Sequence, residues 1–188
     1  TVQVYPELYE LLKSKTAVSL RGAHINYSPI NDPELGDAYR KYFPVTDGFH
    51  AVSEAIGKEA MKYGAEKNKI TVVHSSVKDE LLNMNSVSYK SNNSFEILSI
   101  GRHHWKKGYH YALDAMKILK DEGIKFKYTI IAQWDLPEEI IFMIDDYKLE
   151  SEVNIVKGMP YEELIKYLSK CNLFLLPSVE EGIANVVL

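Results

Sequence analysis

Two short segments of this chain carry side chains that could bind and activate a phosphorylated ligand. The first is Gly101-Arg102-His103-His104-Trp105-Lys106-Lys107-Gly108. A guanidinium such as that of Arg102 offers paired donors to phosphate oxygens, and an ammonium such as that of Lys107 supplies a compact point charge. The second is Pro177-Ser178-Val179-Glu180-Glu181-Gly182-Ile183-Ala184-Asn185. It sets the Glu181 carboxylate, suited to accept hydrogen bonds from sugar hydroxyls, before a glycine and what reads as the first turn of a helix. Backbone N–H groups from Ile183 to Val186 would then face an anion, with the positive end of the helix dipole behind them. Each segment alone has a plainer explanation. A basic turn can be merely solvated, and an acid at a helix start contributes only roughly 0.3–1 kcal/mol through the dipole.

The elements that must position these residues are legible in the second half of the chain. Phe95 to Ile100 reads as a strand ending at Gly101. Tyr109, Ala112, Leu113, Met116 and Leu119 recur at helical spacing up to Asp121, with Gly123 as a C-terminal stop. Phe126 to Ala132 reads as a strand with Tyr128, Ile130 and Ala132 on one face. Pro137 opens a helix with Ile140, Ile141, Ile144 and Tyr147 together, and Val153 to Val156 is a further strand. Pro160 opens a helix with Tyr161, Leu164, Ile165 and Leu168 on one side, and Leu173 to Leu176 is the fourth strand. Strands and helices alternating at this spacing predict a parallel sheet with helices on both faces. Ligands of such sheets bind beyond the carboxyl ends of the strands, where both segments fall.

The first half repeats the α/β pattern less regularly. Pro6 to Lys13 reads as a helix, and Thr16 to Leu20 as a strand ending at Arg21-Gly22. Residues 26–44, with three prolines, read as a long loop holding at most one helical turn. Phe49 to Val52 is a strand, Ser53 caps a helix ending near Gly64, and Ile70 to Val73 is another strand. The polar run from Asn83 to Ser94 has the composition of a linker.

Composition narrows the function classes. The 188 residues suffice for one large domain or two small ones. A formal net charge of −4 argues against a nucleic-acid-binding surface, which would show a basic excess. No apolar run approaches the roughly 20 residues of a membrane-spanning helix, and the first residues do not resemble a signal peptide. The single cysteine, Cys171, reads as a buried inert thiol in a reduced, cytoplasmic setting. No Asp-x-Asp occurs, and His103, His104 and His110 have no carboxylate or cysteine at ligand spacing, so no metal site is expected.

Taken together, the segments resemble the retaining nucleotide-sugar glycosyltransferases of GT-B architecture, family 4 type (glycosyl transferases group 1). The matching residues are Gly101-Arg102-x4-Lys107-Gly108, Gly158-Met159-Pro160-Tyr161-Glu162-Glu163-Leu164 and Pro177-Ser178-x2-Glu181-Gly182, in that order. More loosely, Val18-Ser19-Leu20-Arg21-Gly22, His50-Ala51-Val52-Ser53-Glu54 and Ile70-Thr71-Val72-Val73-His74-Ser75-Ser76-Val77 resemble segments of the family's first domain. The resemblance implies an α/β fold of GT-B type, with two Rossmann-like parallel-sheet domains, both incomplete in this chain. Residues 1–82 would be the later part of the acceptor-side domain, 83–94 the linker, and 95–188 the first part of the donor domain.

The resemblance further implies that Arg102 and Lys107 bind the donor diphosphate, with Glu181 contacting the donor sugar as the first member of a Glu-x7-Glu motif. The second Glu would fall one position past Leu188, so the chain reads as the middle of a longer protein. Gly101, Gly182, Ile183, Ala184 and Asn185 would complete the donor site, and Arg21 and His24 would reach it from the first domain. The donor would be a nucleotide-diphosphate sugar. The acceptor would be a sugar, lipid-linked or protein group, with no cofactor and no nucleic acid. The setting would be cytoplasmic, with peripheral association at the inner membrane face through segments outside this chain.

Three departures from the family pattern stand out. Arg21-Gly22-Ala23-His24 replaces the usual His-Gly-x-Asp, Ala132-Gln133-Trp134 replaces a Gly-x-Gly, and Ser75-Ser76-Val77 replaces Asn-Gly-Val. Two other readings remain open: a non-catalytic nucleotide-sugar-binding fragment, and a sugar-nucleotide epimerase on the same architecture.

Overall fold

A computed structural model describes residue 11 and residues 14–76, 95–133 and 135–187. The expected linker at 83–94, nearly all of the expected first helix, Val77 and Trp134 lie outside the described residues. The chain forms two compact units. One contains residues 14–76 together with 181–187, and the other contains 95–133 and 135–180. The last described residues therefore group with the first unit, whereas the sequence reading assigns them to the second domain.

The first unit is built on a parallel sheet in the order β1 (Ala17–Leu20), β2 (Gly48–Ala51), β3 (Ile70–Val72). The register aligns Leu20 with Ala51 and Ala51 with Val72. Residues 26–44 are not the loop that their prolines suggest. They hold parts of α1 (Ala23–Asn26), α2 (Ser28–Asn31) and α3 (Pro33–Tyr42). Pro29 and Pro33 sit in first turns, where a missing N–H costs nothing and the fixed φ favours the helix. The Asp32 carboxylate caps α3 by accepting from Leu35 N at 3.2 Å. Leu35, Tyr39 and Tyr42 then share a buried face at helical spacing, and Tyr39 stacks on Phe43 at 4.5 Å. Ser53 caps α4 (Glu54–Met61) as expected, accepting from Ile56 N.

The second unit is a four-stranded parallel sheet in the order β6 (Val153–Lys157), β5 (Phe126–Ala132), β4 (Phe95–Ile100), β7 (Leu173–Phe174). Helices α5 (Tyr109–Asp121) and α6 (Glu138–Asp146) pack on one face, over Ile97, Tyr128 and Ile130. Helix α7 (Tyr161–Leu168) covers the other, over Leu98 and Ile131. The alternation expected of β5 holds from Phe126 to Ile130 and ends at Ile131, which is as buried as its neighbours because both faces are covered. Chain direction across the sheet reverses between β4 and β7, which makes that junction the switch point.

Several details differ from expectation. Ile141 and Tyr161 are 48% and 41% exposed, so each helix buries a narrower stripe than the pattern predicts. Strand β7 has two residues rather than four, although Leu175 N still donates to the Leu98 carbonyl. Gly123 has φ +73° and ends α5, as glycine after a helix does. Cys171 is buried, its Sγ donating to the Leu168 carbonyl, and burial pushes its thiol pKa up.

Candidate functional site

In the second unit, the segments leaving β4, β5 and β6 line an open crevice of about 520 Å³. Its walls include Gly101 and Arg102 after β4, Gln133 after β5, and Gly158, Met159 and Leu164 after β6. Arg102 is exposed at this crevice, and among the described residues no carboxylate forms an ion pair with it. Gly158 lets the β5 and β6 loops meet, since a Cβ there would stand 2.9 Å from Gln133 Cα. The sequence reading has Gln133 only within a departure from the family's Gly-x-Gly, expected to reshape the donor pocket, and Gly158 and Met159 only within a matching motif, with no individual role. Their position just past strand ends is the signal that could have found them.

The first βα loop is held in shape by its own backbone and neighbours. His104 Nδ1 accepts from Lys106 N at 3.3 Å and so caps the turn Trp105–Lys107. That bond requires an unprotonated Nδ1. Partial burial holds the His104 pKa below its usual value, and the positive charges of Lys106, Arg102, His103 and Lys107 add to the effect. Several cations therefore raise the local potential at one imidazole, the electrostatic signature of a place that favours an anion. The Lys107 stem lies over Gly101, where an added Cβ would meet its Cδ and Cε at 3.3 Å. Tyr109 donates to the Gly101 carbonyl at 3.1 Å, and burial raises the phenol pKa to about 12, so it stays a neutral donor.

This loop and the loop after β7 are joined at the switch point. Gly108 has φ +64°, and a Cβ on it would come within 2.1 Å of the Pro177 carbonyl oxygen. Val179 N donates to the Lys106 carbonyl at 2.8 Å. The Ser178 Oγ beside this junction is buried and has no hydrogen-bond partner among the described residues.

Residues 181–187 belong to the first unit and rest on the end of β1. A Cβ on Gly182 would stand 2.6 Å from the Arg21 carbonyl oxygen and 3.2 Å from Gly22 Cα. Ile183 packs on the first unit's core and Ala184 is buried. The helix expected from Ile183 is instead a 3-10 turn over Asn185–Val187, with Val187 N donating to the Ala184 carbonyl. Such i→i+3 bonding makes a tighter, shorter element than an α-helix. Arg21 is exposed just past β1, and His24 is exposed on α1, its carbonyl accepting from Tyr39 Oη. The structure thus brings Gly101, Arg102 and Lys107 together in one unit, and Arg21, Gly182 and Ile183 together in the other. Among the described residues no group of three or more His, Cys, Asp or Glu could hold a metal ion, and no helix is long and apolar enough to cross a membrane.

A doubly wound parallel sheet with a cationic first loop at its switch point, in one chain with a second parallel α/β unit, is the GT-B architecture. Residues 83–188 match the family model described as glycosyl transferases group 1, and the chain belongs to that family. It is 31% identical over 170 residues to the amylovoran biosynthesis glycosyltransferase AmsK of Erwinia amylovora, a match covering 90% of this chain and 41% of that protein. It is 29% identical over 169 residues to the putative colanic acid biosynthesis glycosyltransferase WcaL of Escherichia coli K12, with the same two coverages. The match thus spans about two fifths of each relative's length.

Solved structures share the fold. Sucrose-phosphate synthase from Thermosynechococcus elongatus superposes with a TM-score of 0.76 at 14% identity, over 98% of this chain and 50% of that one. Anabaena Alr3699/HepE in complex with UDP and glucose gives 0.72 at 15% identity, over 98% and 52%.

Proposed function

We propose that this chain is part of a retaining glycosyltransferase that moves a sugar from a nucleotide-diphosphate donor to a saccharide acceptor in polysaccharide synthesis. The observation that carries the reading is the Arg102–Lys107 loop at the β4/β7 switch point, opening on a crevice of about 520 Å³. That volume lies within the range of small-molecule sites. Two relatives are named for polysaccharide biosynthesis, and one structural neighbour was solved with UDP and glucose.

Arg102 and Lys107 hold the diphosphate and stabilise the charge that grows on it as the glycosidic bond breaks. Lys107 is held before the reaction: its turn is capped by His104, and its stem is seated over Gly101. The crevice between Gln133 and Met159 takes the nucleoside end of the donor. Glu181 accepts hydrogen bonds from the donor sugar, with the backbone of Gly182 to Asn185 supporting it. The donor is drawn from the cytoplasm, and the cations supply the charge stabilisation that a metal gives in other transferases.

Titration calorimetry of the chain with UDP, GDP and ADP, then with their sugars, tests the donor site. Saturable binding of one diphosphate, lost in Arg102→Ala, supports it. A donor bound equally well by wild type and variant would overturn the assignment of Arg102. A product assay on the longer protein then separates transfer from epimerisation, hydrolysis or binding alone.

A further inference from the structure

Among the described residues that line the crevice of about 520 Å³, only Arg102 and Gln133 have strongly hydrogen-bonding side chains. The rest of the wall is glycine, proline and the apolar Ile100, Ile131, Met159 and Leu164. Ile100 pairs with Ile131 across β4 and β5, so Arg102 and Gln133 each follow that pair by two residues, on strands about 4.8 Å apart. Gln133 in turn abuts the loop after β6. Gly158 N donates to the Ala132 carbonyl at 2.7 Å, and a Cβ on Gly158 would stand 2.9 Å from Gln133 Cα. Strand order therefore sets a cation, an amide and an apolar wall in sequence: Arg102 after β4, Gln133 after β5, Met159 after β6. Gln133 is exposed, and among the described residues its amide has no hydrogen-bond partner. The charged pair on the same two loops, Asp135 and Lys157 at 3.4 Å, does not line the crevice.

A nucleotide with its phosphates on Arg102 lays its base against the apolar part of this wall. The faces of the base gain from that contact. Its edge does not, because each nucleobase carries a hydrogen-bond donor beside an acceptor there, and covering such an edge unpaired is costly. A primary amide matches the edge, since its N–H and C=O groups also stand side by side. Where the edge falls depends on the base, a purine edge lying further from the glycosidic bond than a pyrimidine edge. With the phosphates fixed on Arg102, an amide at a fixed place meets the edge of one base and misses that of another, which then goes unpaired.

From this we infer that Gln133 reads the nucleobase through its side-chain amide and so sets which nucleoside diphosphate the chain accepts. The inference rests on the nucleotide-donor reading of the crevice. It goes beyond that reading by giving base selection to one side chain, at a position where the sequence departs from the family's Gly-x-Gly.

The test is titration calorimetry of the chain and of Gln133→Leu with UDP, CDP, ADP and GDP, and with pyrophosphate as the probe that lacks a base. Wild type is expected to bind one diphosphate about tenfold or more tighter than the weakest of the four. Gln133→Leu should weaken the favoured one until all four lie within about threefold of one another. Pyrophosphate affinity and thermal melting should stay unchanged, since Gln133 is exposed and away from the cores. A spread in Gln133→Leu equal to that of wild type would overturn the inference, as would equal binding of all four diphosphates by wild type. A variant that weakens pyrophosphate and every diphosphate in equal proportion would overturn it too, by putting Gln133 on the phosphates. Diphosphate binding lost in Arg102→Ala, with an unaltered spread in Gln133→Leu, keeps the donor site and sinks base reading. Binding of none of the five probes by wild type sinks the donor site, and base reading with it.

Discussion

Gly108 lies against the Pro177 carbonyl so closely that a Cβ built on it would stand 2.1 Å from that oxygen. The contact joins the first βα loop of the second unit to the loop after its last strand, on either side of the switch point. Two demands meet at one residue. The backbone is left-handed at φ +64°, and the space a side chain would need is filled by another backbone. Gly108→Ala should therefore cost about 2–4 kcal/mol, from the left-handed penalty plus overpacking. Urea unfolding of the variant measures this, and a cost under about 0.5 kcal/mol, the scale of an ordinary surface change, would show that the loops part easily.

Gly101 offers a gentler perturbation of the same site. A methyl there meets the flexible Lys107 stem at 3.3 Å and the Oη of buried Tyr109 at 3.1 Å, so the fold should give by a few tenths of an ångström while the ammonium moves. Gly101→Ala is expected to weaken diphosphate binding by roughly tenfold, and Lys107→Ala by roughly ten- to a hundredfold, the worth of a charge-assisted hydrogen bond. Calorimetry on the two variants checks the order. If Gly101→Ala binds as wild type, the Lys107 position is not set by this packing.

Much of the second unit was readable because its strands and helices are long and bounded by their own punctuation. Tyr109 to Asp121 and Phe126 to Ala132 begin and end where the pattern places them. The three short helices between Ala23 and Tyr42 were hidden because their prolines also fit a loop, and only the Asp32 cap and the Leu35–Tyr39–Tyr42 face decide otherwise. Arg102 and Lys107 could be picked out by residue type at a strand end. Gln133 and Met159 have unremarkable chemistry, and only their position just past strand ends, read with the strand order, marks them. The backbone meeting of Gly182 with Arg21 joins residues far apart in sequence, which no local pattern encodes.

His104 should report the arrival of the donor. In the free protein its pKa is held below the usual histidine value, first by burial and then by four neighbouring positive groups. Its contribution to stability is present above the unfolded histidine pKa and is lost as pH falls through the lowered folded value. A bound diphosphate adds negative charge beside those cations, so the His104 pKa should rise and binding should take up protons at pH values between the free and bound pKa. NMR titration of the His104 ring protons, with and without UDP or GDP, measures the shift. A fall in pKa on binding would mean that the diphosphate sits elsewhere.

A buried hydroxyl relay ties three strands of the second unit and positions the loop after β7. Tyr128 Oη donates to Ser99 Oγ at 2.9 Å, and Ser99 Oγ donates to the Leu175 carbonyl at 2.6 Å. Burial pushes the Tyr128 pKa well up, so the phenol remains protonated and able to donate throughout the accessible pH range. The two ends of the relay are not equivalent. Tyr128→Phe removes one donor and leaves Ser99 still bonded to Leu175, at a cost of about 1 kcal/mol. Ser99→Ala leaves the buried Tyr128 hydroxyl and the half-buried Leu175 carbonyl without that partner, and an unmet buried group costs about 1–3 kcal/mol. Each substitution removes one hydroxyl oxygen, so the volume lost is the same and the difference reports hydrogen bonding: Ser99→Ala should be the more damaging. Equilibrium unfolding of both single variants and the double variant resolves it: the double should cost less than the sum, because the plain phenyl ring put in place of Tyr128 has no hydroxyl left to satisfy. Strict additivity, or a larger loss in Tyr128→Phe than in Ser99→Ala, would show that packing rather than the relay holds β7 to β4.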